Sequence, residues 1–373
     1  MQIDTVLIKV ASRCNINCSY CYVYHLGDTN WSKIDKLISP ATMQKMANSI
    51  GNLVKAQEQQ FCTILHGGEP LMLGEKGLHD FLSLLRTNLP DTYPISIQTN
   101  GVLITNGILD ICSEHNVSIA VSLDGPEHVN DIARVDHQGK STFFKVMEGI
   151  AKLKAHKNTE FLYAGLLAVI DPSTNPVDIY HFFKKINSPS VDFLYKDGNH
   201  SRLPKGKKTF RSTEYGSWMV KLLDIYLNDP APIKIRVLDD MMKLIIGGES
   251  TKEGIGISDF GIVIFDTDGS ITKNDTLKSS YDRADQFSEK WRVDSIEIVD
   301  LLKEEEYRTY HEMQKPTSVT CLECKDLNIC GGGMTTHRWK DGSAYNNPTV
   351  YCEDQRLLIT AMRQKIKSLS SAL

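Results

Sequence analysis

Six short apolar runs alternate with amphipathic helical patterns along the first 200 residues, and this alternation constrains the fold more than any other feature. Repeated strand–helix units build a parallel sheet, and right-handed crossovers curl six units into an open barrel or a doubly wound sheet. In both arrangements a ligand binds at the carboxyl ends of the strands. We therefore predict an α/β fold whose functional residues follow the strands. The predicted strands are 5–10, 61–65, 94–98, 118–123, 161–170 and 191–195.

The alternation ends near residue 200, where a polar and basic stretch, SRLPKGKKTF, separates the first part of the chain from the rest. Residues 213–228 and 235–246 have helical patterns, and residues 261–273 predict a hairpin that turns at Asp268-Gly269. A final amphipathic helix is predicted over 353–366. We predict a domain over 1–200, a helical linker region over 201–260 and a smaller domain over 261–373.

Seven of the nine cysteines fall into two tight groups near the two ends of the chain. In a reducing compartment, cysteines a few residues apart are more often metal ligands than disulfide partners. Cys62 and Cys112 lie in apolar patterns and are predicted to be buried thiols. The two groups consist of Cys14, Cys18 and Cys21, and of Cys321, Cys324, Cys330 and Cys352.

The charge balance argues against a nucleic-acid partner. The chain has 42 basic and 46 acidic residues, a formal net charge of −4, and its lysines and arginines are spread along the sequence. No general attraction to a phosphate backbone follows from this distribution. The first residues show no signal-peptide pattern, and no apolar run approaches the roughly 20 residues of a membrane span. We expect a soluble, cytoplasmic protein without a membrane partner.

The first cysteine group directly follows the first predicted strand and has the spacing C-x3-C-x2-C. A four-iron cluster takes four ligands, so three thiolates leave one iron able to bind a small molecule. A zinc ion completed by His25 is the alternative. The spacing, with Tyr20 before the last cysteine, resembles the signature of the radical S-adenosylmethionine (SAM) superfamily. This resemblance implies a partial (β/α)6 barrel with a [4Fe-4S] cluster on Cys14, Cys18 and Cys21.

Motifs after the next three predicted strands extend the resemblance through the N-terminal half of the chain. The sequence HGGEP at 66–70 resembles the motif whose backbone meets the amino group of SAM, while QTNG at 98–101 and SLDGP at 122–126 resemble ribose and carboxylate contacts. Arg134 stands at the position of an arginine that holds the SAM carboxylate, and Leu167 is expected either to pack on adenine or to be an ordinary core residue. The residues implied to bind SAM are Tyr20, Gly67, Gly68, Glu69, Asn100, Ser122, Asp124, Arg134 and Leu167.

The resemblance also implies a mechanism and an external partner. A reduced cluster donates one electron to SAM, and the resulting 5′-deoxyadenosyl radical removes a hydrogen atom from the substrate. Because the cofactor supplies this chemistry, the protein has to hold the target C–H bond in place and exclude water. An electron donor of the flavodoxin or ferredoxin type is expected.

The second cysteine group resembles the SPASM extension of peptide-modifying radical SAM enzymes. Its spacing is C-x2-C-x5-C, three glycines follow Cys330, and Cys352 completes the group. Four cysteines are enough to ligate a complete second four-iron cluster, and a structural zinc site is the alternative. Fuller SPASM domains carry three more cysteines, but here Met334 and Asn274 stand at two of those positions. We therefore expect two [4Fe-4S] clusters in total, of which one is auxiliary.

The resemblance narrows further to maturases that form cyclophane crosslinks in ribosomally made precursor peptides. In these, an aromatic ring carbon becomes bonded to the β-carbon of a nearby residue. The strings that carry this resemblance are RVDHQG from Arg134, DGSI and DTLK within 268–278, and NPTVYC ending at Cys352. A precursor peptide is the expected substrate, and Asp275 is the expected base that removes the ring proton.

Several other functions stay open from the sequence. The first alternative is a sulfatase-maturase-like oxidation of Ser or Cys to formylglycine, which the missing auxiliary cysteines disfavour. A thioether-forming or epimerising peptide enzyme comes next. An electron carrier or redox sensor would have no use for the GGEP and SLDGP motifs or for Arg134. The short segment before the first strand leads us to expect no separate leader-binding domain.

Overall fold

The computed structural model of the chain describes residues 2–26, 29–250 and 252–370. Within these ranges the strands are β1 (Thr5–Ala11), β2 (Asn17–Cys18), β3 (Cys62–Gly67), β4 (Ile95–Thr99), β5 (Val117–Ser122), β6 (Arg134–Val135), β7 (Tyr163–Val169), β8 (Ser190–Leu194), β9 (Lys234–Ile235), β10 (Ile262–Phe265) and β11 (Ile271–Thr272). The α-helices are α1 (Tyr22–His25), α2 (Pro40–Ala56), α3 (Gly74–Asn88), α4 (Asn106–Glu114), α5 (Glu127–Asn130), α6 (Phe143–Ala155), α7 (Thr159–Leu162), α8 (Pro176–Lys185), α9 (Glu214–Asn228), α10 (Arg236–Ile245), α11 (Ile298–Leu301), α12 (Glu305–Glu312), α13 (Val319–Leu322), α14 (Leu327–Cys330) and α15 (Cys352–Ser370). Short 3-10 helices cover Asn30–Ser32, Pro70–Leu73, Asp275–Ser279 and Thr335–Arg338.

The chain divides into two compact units. The first unit comprises Met1–Leu123, Asn130–Leu166 and Gly261–His311, and the second comprises Asp124–Val129, Leu167–Phe260 and Glu312–Leu373. The predicted domain boundary after residue 260 coincides with the start of the segment Gly261–His311, and the predicted boundaries after residues 200 and 260 stay predictions. Residues 261–311 belong to the first unit because β10 pairs in parallel with β1, with Thr5 opposite Ile262.

The first unit is built on a sheet in the order β11-β10-β1-β3-β4-β5-β7. The pairs of β1 with β3, β3 with β4, and β4 with β5 are all parallel, which confirms the α/β prediction. Along β3, Thr63 and Leu65 are fully buried, whereas His66 is only half-buried. This alternation gives β3 one more deeply buried face. Helix α2 begins at Pro40 after the N-cap Ser39 and buries one side of its own.

The predicted hairpin is present in the first unit. Strands β10 and β11 are antiparallel, and Gly269 N donates to Asp266 O at 2.9 Å to close the turn between them. Gly269 has a φ of +85°, a conformation that favours glycine. The fifth predicted strand is shorter at its start, because Leu162 N donates to Asn158 O and residues 159–162 form α7 instead.

The second unit contains the end of β7 together with β8 and β9, and β8 pairs in parallel with β9. Helices α9 and α15 pack so closely that a Cβ at Gly216 would lie 2.7 Å from the Asp354 backbone. The predicted final helix over 353–366 is present and extends to Cys352–Ser370. No helix in the described part of the chain is both long enough and apolar enough to cross a bilayer.

Candidate active site

The first cysteine group lies in a loop of the first unit that is anchored at three points. Cys14 follows the end of β1, Cys18 lies in β2 opposite Arg134 in β6, and Cys21 is the N-cap of α1. The zinc alternative assigned His25 to the same site. His25 is instead exposed, and its Nε2 lies 2.8 Å from Asn17 Oδ1. His25, the fourth ligand that the zinc alternative assigned, therefore has another partner in the described part of the chain.

The sulfur atoms of this group influence one another electrostatically. The pKa of Cys14 is raised to about 12, mainly by burial and also by the neighbouring charges of Glu69, Cys18 and Cys21, while a backbone hydrogen bond lowers it. Burial likewise raises the pKa of Cys21 to about 11. Neighbouring thiols with raised pKa values become thiolates together only when a cationic group compensates their charge. Binding of a metal centre by these cysteines therefore releases protons.

The spacing of the sulfur atoms fits a cluster better than a single ion. A tetrahedral zinc ion with Zn–S bonds of about 2.3 Å brings its sulfur ligands within about 3.8 Å of one another. Among the described residues, only His79, Glu114 and His115 bring three potential ligand atoms within 4.8 Å of one another, and neither cysteine group does. A four-iron cluster is several ångströms across and holds its thiolates farther apart. The residues present therefore fit an iron–sulfur cluster.

The two glycines of the HGGEP motif let β3 approach the cysteine loop. Gly68 N donates to Ala11 O at 2.7 Å, and a Cβ at Gly68 would lie 2.2 Å from Arg13 O and 2.1 Å from Tyr24 Oη. Gly67 has a φ of +133° and a Cβ there would lie 2.2 Å from Ala11 O. Any larger residue would displace backbone, so both glycines are needed for this contact.

Glu69 links this motif to the one after β4. Its carboxylate accepts hydrogen bonds from Thr99 Oγ1 at 2.6 Å, from Asn100 N at 2.8 Å and from Leu71 N at 3.0 Å. Burial raises the pKa of Glu69, and these hydrogen bonds and the charge of Arg134 oppose that effect. Because the side chain is only 1% exposed, it holds the two motifs in register from within the protein.

Three further predicted residues lie beside the cysteine loop in the first unit. Asn100 Nδ2 lies 3.6 Å from Cys14 Sγ and donates to Asn15 Oδ1 at 2.7 Å. Arg134 is 5% exposed and donates to Tyr20 Oη at 2.8 Å. The structure therefore brings Tyr20, Asn100 and Arg134 together with the cysteines, and their roles as SAM contacts stay predictions.

The remaining predicted SAM contacts are divided between the units. In the first unit, Ser122 Oγ accepts a hydrogen bond from Gln98 Nε2 at 2.9 Å. Asp124 and Leu167 belong to the second unit, where Asp124 Oδ1 accepts a hydrogen bond from Val169 N at 3.0 Å. Their roles as cofactor contacts stay predictions.

Asp275, the expected base, lies in a buried cluster of charges in the first unit. Its Oδ1 is 2.7 Å from Lys9 Nζ and 3.5 Å from Lys278 Nζ, and Lys9 also bonds Asp266 Oδ2 at 2.7 Å. Burial alone would raise the pKa of Asp275, but the charges of Lys9 and Lys278 outweigh it, so the pKa lies below the ordinary value. Sequence reasoning did not find Lys9, a lone lysine within a strand.

The second cysteine group lines a cavity of about 510 Å³ in the second unit. The pKa of Cys330 is raised to about 12 and that of Cys352 to about 11, mainly by burial and in part by the charges of Cys321 and Cys324. After Cys330, three consecutive glycines have φ values between +64° and +80° and turn the backbone around the sulfur atoms. Four converging sulfurs around such a cavity fit a complete four-iron cluster.

Two of the positions where fuller SPASM domains carry a cysteine have other roles here. Asn274 caps the 3-10 helix that begins at Asp275, because its Oδ1 accepts from Thr276 N at 3.0 Å. Met334 packs against Gly254, where an added Cβ would lie 2.8 Å from the Met334 sulfur. Cys62 and Cys112 lie in β3 and α4 respectively. No further cysteine group is therefore found in the described residues.

Comparison with known proteins places these features in a family context. Residues 8–184 match the family described as the Radical SAM superfamily. The chain is 25% identical over 365 residues to the cysteine-type anaerobic sulfatase-maturating enzyme of Clostridium perfringens (strain 13 / Type A), covering 94% of each protein.

Two solved structures have a similar fold. One is described as native anSMEcpe with bound AdoMet and Cp18Cys peptide, and it aligns with a TM-score of 0.81 and 20% identity over 99% of both chains. The other is Streptococcus suis SuiB bound to precursor peptide SuiA, with a TM-score of 0.61 and 13% identity over 94% of this chain and 76% of that chain. At these identities the likeness extends to the fold alone.

Proposed function

This chain is a radical SAM enzyme, and we propose that it oxidises a side chain of a peptide substrate. The observation that supports this most is the assembly of the cysteine loop, the GGEP motif, Asn100 and Arg134 within one unit. The cofactors are SAM and [4Fe-4S] clusters, with which both cysteine groups are consistent.

When a four-iron cluster and SAM are bound at Cys14, Cys18 and Cys21, they supply a radical able to remove a hydrogen atom from an unreactive C–H bond. The protein's own residues bind and orient SAM. Arg134 is buried and held by Tyr20 at 2.8 Å, so a guanidinium is fixed in place for a carboxylate. The backbone of Gly67 and Gly68 is open to close approach by an amino group because neither residue carries a side chain.

Loss of one hydrogen atom leaves an oxidation half complete, and one proton and one electron still have to leave the substrate. We assign the proton to the buried charge cluster that contains Asp275, which is the expected base. We assign the electron to an iron–sulfur acceptor on the second cysteine group. External reduction by a flavodoxin- or ferredoxin-type donor completes the cycle.

Among the reactions with this balance, conversion of a Ser or Cys side chain to formylglycine is the best supported. One relative that matches along 94% of this chain is named as a cysteine-type anaerobic sulfatase-maturating enzyme. For Cys, the thiol would become a thioaldehyde by loss of a hydrogen atom, a proton and an electron. Water would then replace sulfur with oxygen and release hydrogen sulfide.

Cyclophane formation in a ribosomal precursor peptide is the second candidate, and one observation favours it. Asn274 caps a helix and Met334 packs on Gly254, at positions where a fuller SPASM domain would carry cysteines. Seven of the nine cysteines are already accounted for by the two groups. A chain with one auxiliary cluster therefore lacks cysteines of the fuller SPASM pattern, and their absence disfavours formylglycine formation.

One experiment separates the two candidates. Reconstituted enzyme is incubated anaerobically with SAM, a reductant and the Cp18Cys peptide, and in parallel with peptides that carry an aromatic residue near an aliphatic one. Formylglycine formation exchanges sulfur for oxygen and gives an aldehyde that a hydrazine probe captures, whereas a crosslink removes two hydrogens and leaves no aldehyde. If SAM is cleaved but neither peptide changes mass, peptide oxidation is wrong.

A further inference from the structure

The buried charge cluster around Asp275 carries more negative than positive charge. It consists of two lysines and three aspartates, each no more than 8% exposed, which are Lys9, Lys278, Asp266, Asp275 and Asp285. Lys278 Nζ lies 3.5 Å from both Asp275 Oδ1 and Asp285 Oδ2, so it joins these carboxylates to Lys9. With all five groups ionised the formal charge is −1. Uncompensated charge is costly in the interior, so one added proton would stabilise this cluster.

His66 is the neutral titratable group beside this cluster. It lies opposite Lys9 in the register of β1 and β3, so both side chains project from the same face of the sheet. Burial lowers the pKa of His66 and the positive charge of Lys9 lowers it further, while the negative charge of Asp275 raises it; the net direction is down. The charged groups that act on His66 are therefore Lys9 from β1 and Asp275 from the 3-10 helix. Ion pairs join these two to the other members of the cluster, Asp266, Lys278 and Asp285.

Protonation of Asp275 and protonation of His66 have different consequences for the cluster. A proton on Asp275 would weaken its ion pairs with Lys9 at 2.7 Å and Lys278 at 3.5 Å. A proton on His66 breaks neither pair and places a new positive charge near Asp275. Because ion pairs in a poorly solvated site are costly to break, the imidazole is the better proton acceptor.

We propose that His66 takes the substrate proton and that Asp275 is a positioning residue that stabilises the resulting imidazolium. This rests on the proposed function. After a hydrogen atom has left the substrate β-carbon, the S–H or O–H bond breaks, its proton goes to an imidazole nitrogen of His66, and one electron goes to an acceptor of the iron–sulfur class. The carbon–heteroatom double bond forms in the same step. In the crosslinking candidate, the bond that breaks is a ring C–H bond.

The first test needs no substrate. Exchange of the imidazole C2 proton with deuterium, followed by mass spectrometry across a pH series, gives the titration midpoint of each histidine in the holoenzyme. We expect a midpoint for His66 below the ordinary value of about 6.5. Asp275→Asn, which is nearly isosteric, should move it lower still, whereas Lys9→Met should move it higher. An unchanged midpoint in Asp275→Asn would overturn the coupling, and His79, on α3, is the internal reference.

The second test uses the Cp18Cys peptide. His66→Gln should still release 5′-deoxyadenosine with an unchanged KM for peptide, but product formation should fall by at least about 100-fold. His79→Gln, the same substitution at an exposed histidine, should match the wild type. Wild-type product formation by His66→Gln would overturn the assignment, and if Asp275→Asn alone lost product the carboxylate would be the base. A wild-type enzyme that modifies no peptide contradicts the proposed function, and the C2 exchange result then decides the coupling by itself.

Discussion

The ion pair between Lys207 and Asp354 offers a quantitative test of how the second cysteine site is held in place. Both side chains are 0% exposed, and Lys207 Nζ lies 2.5 Å from Asp354 Oδ2. The other carboxylate oxygen accepts from Gly216 N at 2.7 Å, so Asp354 joins the start of α15 to the start of α9. Asp354 follows Cys352, a proposed cluster ligand, by two residues. A change at Asp354 should therefore reach the second cysteine site.

Asp354→Ala should destabilise the protein strongly. Removal of one partner of a buried ion pair costs about 3–5 kcal/mol, because the other charge stays in a poorly solvated site. At about 2–4 °C per kcal/mol for a unit of this size, the apparent Tm should fall by about 6–20 °C. The double variant Lys207→Met with Asp354→Leu should recover most of this loss, since well-packed apolar residues often replace a buried ion pair without cost.

Anaerobic scanning calorimetry at one fixed scan rate measures these shifts on the holoenzyme, because an apparent Tm depends on scan rate when unfolding is irreversible. The chain offers a matched control in the same two helices. Lys365 Nζ lies 2.8 Å from Asp224 Oδ1, but both side chains are more than 40% exposed. Asp224→Ala should cost at most about 1 kcal/mol. Equal Tm shifts for Asp354→Ala and Asp224→Ala would refute the reasoning from burial.

Three further predictions concern the first cysteine site. Reconstituted protein should hold about eight irons per chain, and replacing Cys14, Cys18 and Cys21 together by Ala should halve the iron and abolish SAM cleavage; co-purifying zinc with about four irons would contradict the auxiliary cluster. Arg134→Ala should weaken SAM binding by about 1.5–3 kcal/mol with both clusters intact, as equilibrium binding would measure, and an unchanged affinity would make Arg134 structural. Gly68→Ala should lower iron occupancy and SAM affinity, because its Cβ would lie 2.2 Å from Arg13 O; wild-type values for both would contradict the close approach.

The parts of this structure that the sequence predicts depend on periodic or closely spaced residues. Strands β1, β3, β4, β5 and β8 lie within a few residues of their predicted positions because each is a short apolar run bounded by turn or helix signals. The cysteine groups are recognisable for the same reason, since their spacing is local in the sequence. The predicted start of β7 was wrong because the apolar residues Phe161 and Leu162 form a short helix after Asn158. Over four residues, periodicity does not distinguish a helix from a strand.

The contacts that organise the expected base are not local, and the sequence offered no signal for them. Lys9 meets Asp266 and Asp275 across separations of 257 and 266 residues. A lone lysine in a strand usually indicates an exposed edge position, and only the parallel pairing of β10 with β1 gives this one a buried partner. Strand order is a tertiary property, so neither composition nor spacing could have identified His66 as the neighbour of that cluster.

The pairing of β10 with β1 also adds a distant segment of the chain to the unit that contains the first cysteine group. A boundary after residue 200 would leave β1 as an edge strand and would separate Lys9 from both of its carboxylate partners. A buried ammonium without a partner is strongly unfavourable, and an uncovered parallel edge tends to pair with other chains. Residues 261–311 therefore belong to the fold that holds the first cysteine group, although 91 residues, 170–260, separate them from β7 in the sequence. The carboxylates of Asp266 and Asp275 reach Lys9 only when this distant segment has folded onto β1, so completion of the sheet is coupled to completion of the charge cluster beside His66.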